Sequence, residues 1–126
     1  MIPTDIKLRQ KSRLLELVFE DGKSFKFSYE FLRVHSPSAE VRGHSPDQAV
    51  LQLDKVFVGV SKVDLVGSYA LKITFTDGHD TGLYSWDYFE ELHQFKDRYW
   101  KNYLDNVKRE GHDREAWKNG QKGNEE

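Results

Sequence analysis

Side chains able to bind a metal ion or transfer a proton cluster in two short stretches of this sequence. The first, VHSPSAEVRGH, covers residues 34–44, and the second, TDGHDTGLYS, covers residues 76–85. Their imidazole and carboxylate groups belong to His35, Glu40, His44, Asp77, His79 and Asp80. Such groups can bind zinc or iron, and they can also act as general acids or bases. The two stretches therefore contain the groups for either a metal site or an acid–base site.

Neither stretch is specific enough to define a site by itself. A structural zinc site usually has four ligands of the Cys, His or carboxylate type, whereas the first stretch consists mostly of small residues. It is either a metal loop with altered ligands or an ordinary loop, and ligand chemistry favours the ordinary loop. In the second stretch, Asp77-Gly78 is first of all a hairpin turn. A catalytic role for His79 is disfavoured because no nucleophile or paired base lies beside it in the sequence.

The composition excludes several classes of protein. The chain has 126 residues, enough for one domain with its own core, and 37% of them are hydrophobic. It has no cysteine, which excludes disulfides, thiolate nucleophiles and cysteine-ligated zinc or iron–sulfur sites. A net charge of −2 argues against nucleic-acid binding by bulk electrostatics. We expect a cytoplasmic protein without a membrane segment, because the sequence has no secretory signal and no run of 18 apolar residues.

Alternating hydrophobic residues predict two β-hairpins with Asp-Gly turns, the first at Asp21-Gly22 and the second at Asp77-Gly78. A serine that can cap a helix follows each hairpin, Ser28 after the first and Ser85 after the second. The segments FEDGKSFKFSYEFL and FTDGHDTGLYSWDYF share this order of strand, turn, strand, serine and aromatic residues. They form a weak internal repeat.

Beyond the second hairpin, apolar residues recur at steps of three or four from Tyr88 to Val107. This spacing predicts one helix of about six turns that ends near Gly111. Residues 111–126 contain Trp117 and little else that is apolar, so we expect a disordered polar tail. The sequence therefore predicts a single α+β domain over residues 1–110, built from antiparallel hairpins and one long C-terminal helix.

From about Asp5 to Leu92, the sequence resembles the domain found at the N-terminus of gamma-butyrobetaine hydroxylase. The resemblance rests on the EDG hairpin, on SYEFLRVHSPSAEVRGH and VGSYALKITFTDGHDTGLYSW, and on the helix that follows them. The same domain occurs alone in many bacteria as a small domain of unknown function. The resemblance therefore implies a bacterial protein of that kind.

In the zinc-bearing members of that family, three cysteines in a C-x-C-x-x-C arrangement and one histidine hold the metal. The resemblance places the cysteine positions on Ser36, Ser38 and Val41 and the histidine on His79. Only His79 can ligate, so we expect no cofactor, with zinc or iron held through substitute ligands as the alternative. The resemblance also implies that the loop and the DGH turn lie close together, where hydrogen bonds and packing replace the metal.

Hydroxylase activity does not follow from the resemblance. In that enzyme the chemistry belongs to a separate C-terminal domain of the iron and 2-oxoglutarate type, whose metal site starts with an H-x-D motif. This sequence has no H-x-D motif and no room for a second domain, so we expect that the protein is not an enzyme. The domain is also similar to a segment of some P-loop ATPases with iron–sulfur clusters. That similarity implies an accessory role in cluster or metalloprotein assembly.

Basic residues alternate near the N-terminus, and an extended strand would place them on one face: Lys7, Arg9, Lys11 and Arg13. The stripe is either a surface for an anionic partner such as nucleic acid, or the solvated face of an edge strand. The edge strand is favoured because no RNA-binding signature with interleaved aromatic residues accompanies the stripe.

Two functional hypotheses follow for this sequence. The first is a non-catalytic protein-interaction module, whose surface toward an unidentified protein partner consists of Arg42, Asp77, His79 and Asp80. The second is a metal-binding or iron–sulfur assembly accessory factor, whose substitute ligands are His35, His44, His79 and either Asp77 or Asp80. The sequence does not indicate an oligomeric state.

Overall fold

The computed structural model describes residues 2–43 and 45–124, and within them it contains two antiparallel sheets and five helices. The strands are β1 (Asp5–Arg9), β2 (Leu14–Val18), β3 (Ser24–Ser28), β4 (Val60–Val66), β5 (Ala70–Phe75) and β6 (Leu83–Ser85). The helices are α1 (Tyr29–Val34), α2 (Ala39–Arg42), α3 (Trp86–Gln94), α4 (Lys96–Arg109) and α5 (Arg114–Asn124), and one 3-10 turn covers Pro46–Gln48. The predicted α+β class is confirmed.

Each sheet has three strands that pair with their neighbours in chain order, β1–β2–β3 in the first and β4–β5–β6 in the second. The two predicted Asp-Gly turns are confirmed, and their glycines have left-handed backbones with φ of +85° at Gly22 and +89° at Gly78. Ser28 caps α1 by accepting from the amide of Phe31, and Ser85 caps α3 in the same way. Each sheet and the helix that follows it form one unit, and the weak sequence repeat covers the last turn, the last strand and the start of the helix in both units.

One aromatic core joins the two sheets. Phe89 of α3 lies between them, with its ring centroid 5.6 Å from that of Phe27 in β3 and 5.5 Å from that of Tyr84 in β6. All three side chains are almost completely buried, and burying each contributes about 1.5–3 kcal/mol of stability. This packing brings the loop after α1 next to the turn between β5 and β6.

The single long C-terminal helix predicted from the periodicity is not confirmed, because the chain bends at Phe95 between α3 and α4. Phe95 has φ −109° and ψ 18°, although its amide still donates to Glu91 O at 3.0 Å and its carbonyl accepts from Tyr99 N at 2.8 Å. The bend lets α3 pack on the aromatic core, whereas α4 places Tyr103 and Val107 in a second, smaller cluster. Sequence spacing shows which residues lie on one apolar face, but it does not show that this face packs against two separate hydrophobic clusters.

The disordered tail predicted for residues 111–126 is wrong for most of its length, because α5 occupies it as far as Asn124; the last two residues lie outside the described ones. Arg114 donates from Nε and Nη2 to the carboxylate of Glu30, at 2.9 and 2.6 Å. The ring of Trp117 lies 6.0 Å from that of Phe57. These long-range contacts hold a segment whose composition is too polar to indicate packing.

Across residues 2–43 and 45–124, no helix has the length and apolar character that a membrane span requires.

Candidate functional site

The loop after α1 and the turn after β5 meet at a buried contact, which we call the histidine junction (Ser36, Ser38, Glu40 and His79). Ser36 Oγ lies 2.7 Å from His79 Nε2, and Ser38 Oγ lies 3.4 Å from the same nitrogen. Both serines and the histidine are buried, whereas the Glu40 side chain is 66% exposed. The predicted proximity of the loop and the DGH turn is confirmed.

The turn presents His79 through local hydrogen bonds. The Gly78 amide donates to Phe75 O at 3.0 Å, and the Phe75 amide donates to His79 O at 3.0 Å. The carboxylate of Asp77 accepts from the His79 amide at 3.2 Å, which closes an Asx turn. These bonds leave the imidazole as the group that points away from the hairpin toward the loop.

Gly82 permits the close approach of the loop to the hairpin. A Cβ atom at residue 82 would clash with Ser36 Oγ and would stand 3.0 Å from Cδ of Pro37. The loop is also held from below, since the Tyr84 hydroxyl donates to Leu32 O at 2.5 Å and the Tyr88 hydroxyl donates to His35 O at 2.7 Å. The Gly82 backbone and the two tyrosine hydrogen bonds therefore fix the serine loop against the histidine.

The environment favours the neutral form of the His79 imidazole. Burial lowers the pKa of His79, the nearby guanidinium of Arg33 lowers it further, and the carboxylates of Glu40, Asp77 and Asp80 offset only part of this. Glu40 Oε2 lies 3.5 Å from Nδ1, which favours the tautomer with its proton on Nδ1. Nε2 is then an acceptor, and the Ser36 hydroxyl donates to it.

A serine, a histidine and a carboxylate in this order have the connectivity of a nucleophile, its base and an orienting acid. Sequence reasoning missed this because Ser36 and Glu40 lie about 40 residues from His79 in the chain. The geometry does not suit attack on a substrate, however. Ser36 is 1% exposed, and the backbone of Gly82 packs directly against its Oγ. A carbonyl carbon has no path to that oxygen, so the junction holds two segments together.

A second group of charges supports the junction from the side of Asp77. Asp77 Oδ2 accepts from Arg33 Nε and from Lys55 Nζ, each at 2.9 Å. Burial raises the pKa of Asp77, but the Lys55 ammonium, the His79 amide and Arg33 together hold it below its ordinary value. Arg33 is 6% exposed and also donates to Gln52 Oε1 at 3.0 Å. Neither basic residue was predicted, and the one available signal is a charged Arg33 among the apolar residues of α1.

The predicted interaction surface is divided by the structure into exposed and engaged members. Arg42 is exposed, with its guanidinium 4.6 Å above the ring of Tyr88, and the half-exposed Asp80 carboxylate lies 3.7 Å from Lys72 Nζ. Asp77 is bound by two cations, and the imidazole of His79 faces the loop. Arg42 and Asp80 therefore lie outside the buried contact of His79 and the double ion pair of Asp77.

The substitute metal ligands do not converge in the part of the chain that the structure describes. His35 stacks against Phe31 and Tyr99, with centroid distances of 4.4 and 5.8 Å, and its Nδ1 lies 2.8 Å from Phe31 O. His44 lies outside the described residues. Within the described ranges, no three His, Asp or Glu side chains form a group that could hold a metal ion.

The basic stripe is not one continuous face. β1 is an edge strand and ends at Arg9, whose guanidinium binds the Glu16 carboxylate at 2.6 Å. Arg13 has a left-handed backbone with φ +57°, and its Nη2 donates to Val58 O at 2.7 Å. Lys7 and Lys11 are exposed. Lys7 and Arg9 therefore belong to an edge strand, Lys11 to the turn after it, and Arg13 to a contact between the two units.

Comparison with known proteins identifies relatives of this chain. The family model described as gamma-butyrobetaine hydroxylase-like, N-terminal, matches residues 6–90. No curated protein matches the chain.

Several solved structures are similar to this one. Two NMR solution structures, 47% and 44% identical to this chain, each cover 90% of it and superpose with TM-scores of 0.75 and 0.76. The matches cover 89% and 84% of those two chains. A crystal structure of a protein with unknown function from Acidithiobacillus ferrooxidans, described as a member of the DUF971 family, is 33% identical with a TM-score of 0.60. That match covers 72% of this chain and 91% of the other.

Proposed function

This chain belongs to the gamma-butyrobetaine hydroxylase-like N-terminal family, a small domain of unknown function, and we propose that it is a non-catalytic protein-interaction module that works without a metal. The observation that carries the proposal is the 2.7 Å contact between Ser36 Oγ and His79 Nε2 inside a buried junction. A hydrogen bond there holds the loop and the turn in one arrangement, which gives a partner a preformed surface.

The residues at the family's metal positions do not suit zinc. Ser36 and Ser38 supply neutral hydroxyls and Val41 supplies no donor atom, so His79 is the one side chain of the four that zinc prefers. The Nε2 atom of His79 is already engaged by Ser36. One imidazole cannot replace four ligands, because structural zinc sites depend on several charged or strongly donating groups at once.

The surface around the junction supports a binding role. The serines and the histidine of the junction are buried, but its Glu40 and the neighbouring Arg42 and Asp80 present exposed or half-exposed charges of both signs. Charges held on a rigid loop and a rigid turn lose little conformational entropy when a partner binds. This surface is therefore the region at which we place the contact with a partner protein.

Co-purification from native cells at endogenous level tests the interaction. The double variant Arg42→Ala/Asp80→Ala removes two charges from the rim while leaving His79 and its serines intact. We expect this variant to lose the partner that the unaltered protein retains. Lys23→Ala, at the exposed Asp-Gly turn of the first hairpin, is the matched control and should retain it. Retention of the same partner by the double variant would contradict the proposal.

Metal analysis of protein purified without a polyhistidine tag tests the metal-free junction. We expect no stoichiometric zinc or iron. A stoichiometric metal that disappears in His79→Ala would instead favour the accessory factor that uses substitute ligands.

A further inference from the structure

An open groove lies beside the histidine junction, between the segment 34–52 and helix α4. Its cavity has a volume of about 460 Å³. The segment that follows α1 forms one wall with Arg42 and Val50, and α4 forms the other wall with Asn102, Asn106 and Arg109.

Hydrogen bonds from tyrosine hydroxyls fix the position of the wall that follows α1 relative to helices α3 and α4. The Tyr88 hydroxyl donates to His35 O at 2.7 Å, and the Tyr103 hydroxyl donates to Gln52 O at 2.6 Å. The Tyr103 bond joins α4 to the backbone of the opposite wall, and the Tyr88 bond joins α3 to the backbone of that same wall. Tyr99 adds a half-buried ring between them. The groove is therefore preformed and does not have to open when a ligand binds.

The groove offers donors suited to an extended backbone and to carboxylates. Asn102 and Asn106 are exposed and lie four residues apart, so their amide groups project from the same side of α4. Arg109 Nη1 donates to Asn106 Oδ1 at 2.9 Å, which fixes both side chains and leaves other N–H groups of the guanidinium for a ligand. Val50 is 55% exposed and supplies an apolar contact.

The charge of the groove is complementary to an acidic ligand. Arg42 and Arg109 lie on its two walls, and Glu110 carries the one carboxylate among the described residues that line it. The Arg42 guanidinium stacks over the Tyr88 ring, 4.6 Å from its centroid, which orients the guanidinium plane. Stacking leaves N–H groups of Arg42 able to donate to a ligand. From Asn102 to Arg109 the helix rises about 10 Å, the length of about three residues of extended chain.

Resting on the proposed function, we infer that this groove binds an extended acidic segment of the partner protein. The backbone of the segment bonds to the amides of Asn102 and Asn106, and its Asp or Glu side chains pair with Arg42 and Arg109. An apolar residue between the acids packs on Val50 and on the tyrosine rings. This is peptide recognition by a rigid polar groove, in which arginine supplies charge and direction.

Display selection with a random heptapeptide library on the full chain tests the inference. We expect the enriched peptides to contain at least one Asp or Glu beside an apolar residue. A fluorescent peptide of the enriched sequence should bind at least tenfold more weakly to Arg109→Ala and to Asn102→Ala, measured by anisotropy. Arg98→Ala, which removes an exposed arginine of the same helix outside the groove, should bind as the unaltered chain does.

Several outcomes would overturn the inference. They are failure to enrich any peptide, enrichment of neutral or basic peptides, or peptide affinity unchanged in Arg109→Ala and Asn102→Ala. Binding of an oligothymidylate probe that depends on the same two residues would also overturn it, in favour of nucleic acid. The two proposals can fail separately. Loss of the native partner in Arg42→Ala/Asp80→Ala, with unchanged peptide affinity in Arg109→Ala, keeps the interaction module and removes the groove as its peptide site. Retention of the native partner in the double variant contradicts the proposed function itself.

Discussion

The two Asp-Gly turns of this protein have the same local structure and different surroundings. In the first, the Gly22 amide donates to Phe19 O and the Phe19 amide to Lys23 O, while Asp21 accepts from the Lys23 amide at 3.0 Å. The second turn repeats each of these three bonds, with Phe75, Asp77, Gly78 and His79 in the corresponding places. The backbone alone does not distinguish the two turns.

The two turns differ in the exposure and the contacts of their side chains. In the first turn the Lys23 and Asp21 side chains are 76% and 46% exposed, and their charged atoms lie 3.9 Å apart. In the second, the His79 side chain is 5% exposed against Ser36, and Asp77 binds two cations. The turns differ because the third residue of the second turn, His79, packs against a distant loop, whereas Lys23 in the first turn faces solvent. Substitutions at matching positions of the two turns measure how much the contact of His79 with the loop contributes to the free energy of unfolding.

Restoring the family's cysteines should produce the largest change. In Ser36→Cys/Ser38→Cys/Val41→Cys, three thiolates would join His79, which completes a four-ligand site that the first turn cannot form. We expect one zinc ion per chain and a stabilisation of several kcal/mol that a strong chelator removes, measured by metal analysis and thermal unfolding. The same triple variant with His79→Ala is the control. A triple variant without stoichiometric zinc would show that the positions do not converge as proposed.

Gly82→Ala should be the most destabilising single substitution of those compared. Its methyl group would force Ser36 away from the hairpin, at a cost of about 3 kcal/mol in the free energy of unfolding. A Cβ at Gly22 would meet no other atom, so Gly22→Ala should cost only the strain of its positive φ, about 1 kcal/mol in the free energy of unfolding. Urea unfolding of both variants provides the measurement. If Ser36→Ala fails to relieve part of the Gly82→Ala effect, the close contact at Ser36 is not its cause.

His79→Ala and Lys23→Ala compare the third residue of each turn. Loss of the imidazole leaves the Ser36 hydroxyl buried without its acceptor, so we expect a destabilisation of about 2 kcal/mol. Lys23 is exposed, and its removal should change stability by less than about 0.5 kcal/mol. Equal effects in urea unfolding would mean that the junction adds no stability to the turn.

Asp77→Asn and Asp21→Asn compare the first residues of the two turns. Asparagine keeps the side-chain oxygen that accepts the turn amide in each case. At residue 77 it also removes the charge that binds Arg33, and we expect a loss of about 1 kcal/mol. At residue 21 the exposed pair contributes close to nothing. A loss at residue 77 that matches the loss at residue 21 would rule out a structural role for the Arg33 pair.

The smallest expected effect is a pH dependence at the junction. The pKa of His79 is below its ordinary value of 6.5, so the unfolded chain binds more protons than the folded chain as the pH falls through this range. The neutral His79 makes its full contribution to the free energy of unfolding above about pH 7.5. That contribution decreases as the pH falls toward the lowered pKa, by a fraction of about 1.4 kcal/mol per pH unit. His79→Ala should show a shallower decrease between pH 7.5 and 5.5. His35 and His93, whose pKa values burial also lowers, remain in both proteins and cancel in the difference.

The elements that the sequence predicted well are those whose causes are local. Alternation predicted the strands of the two hairpins, an Asp-Gly pair predicted each turn, and a serine predicted the start of α1 and α3. The bend at Phe95 and the helix α5 depend on distant contacts, the second of them on the pair between Arg114 and Glu30. No window of the sequence contains both members of such a contact.

For the site, the sequence by itself determined that His79 stands in a tight turn and that no cysteine can accompany it. Only the tertiary structure decided that this turn is buried against Ser36 while the equivalent turn at Lys23 faces solvent. The physical reason is that a turn is formed by bonds among five consecutive residues. Its burial instead depends on two sheets packing through Phe89 and on a glycine that lets backbones touch.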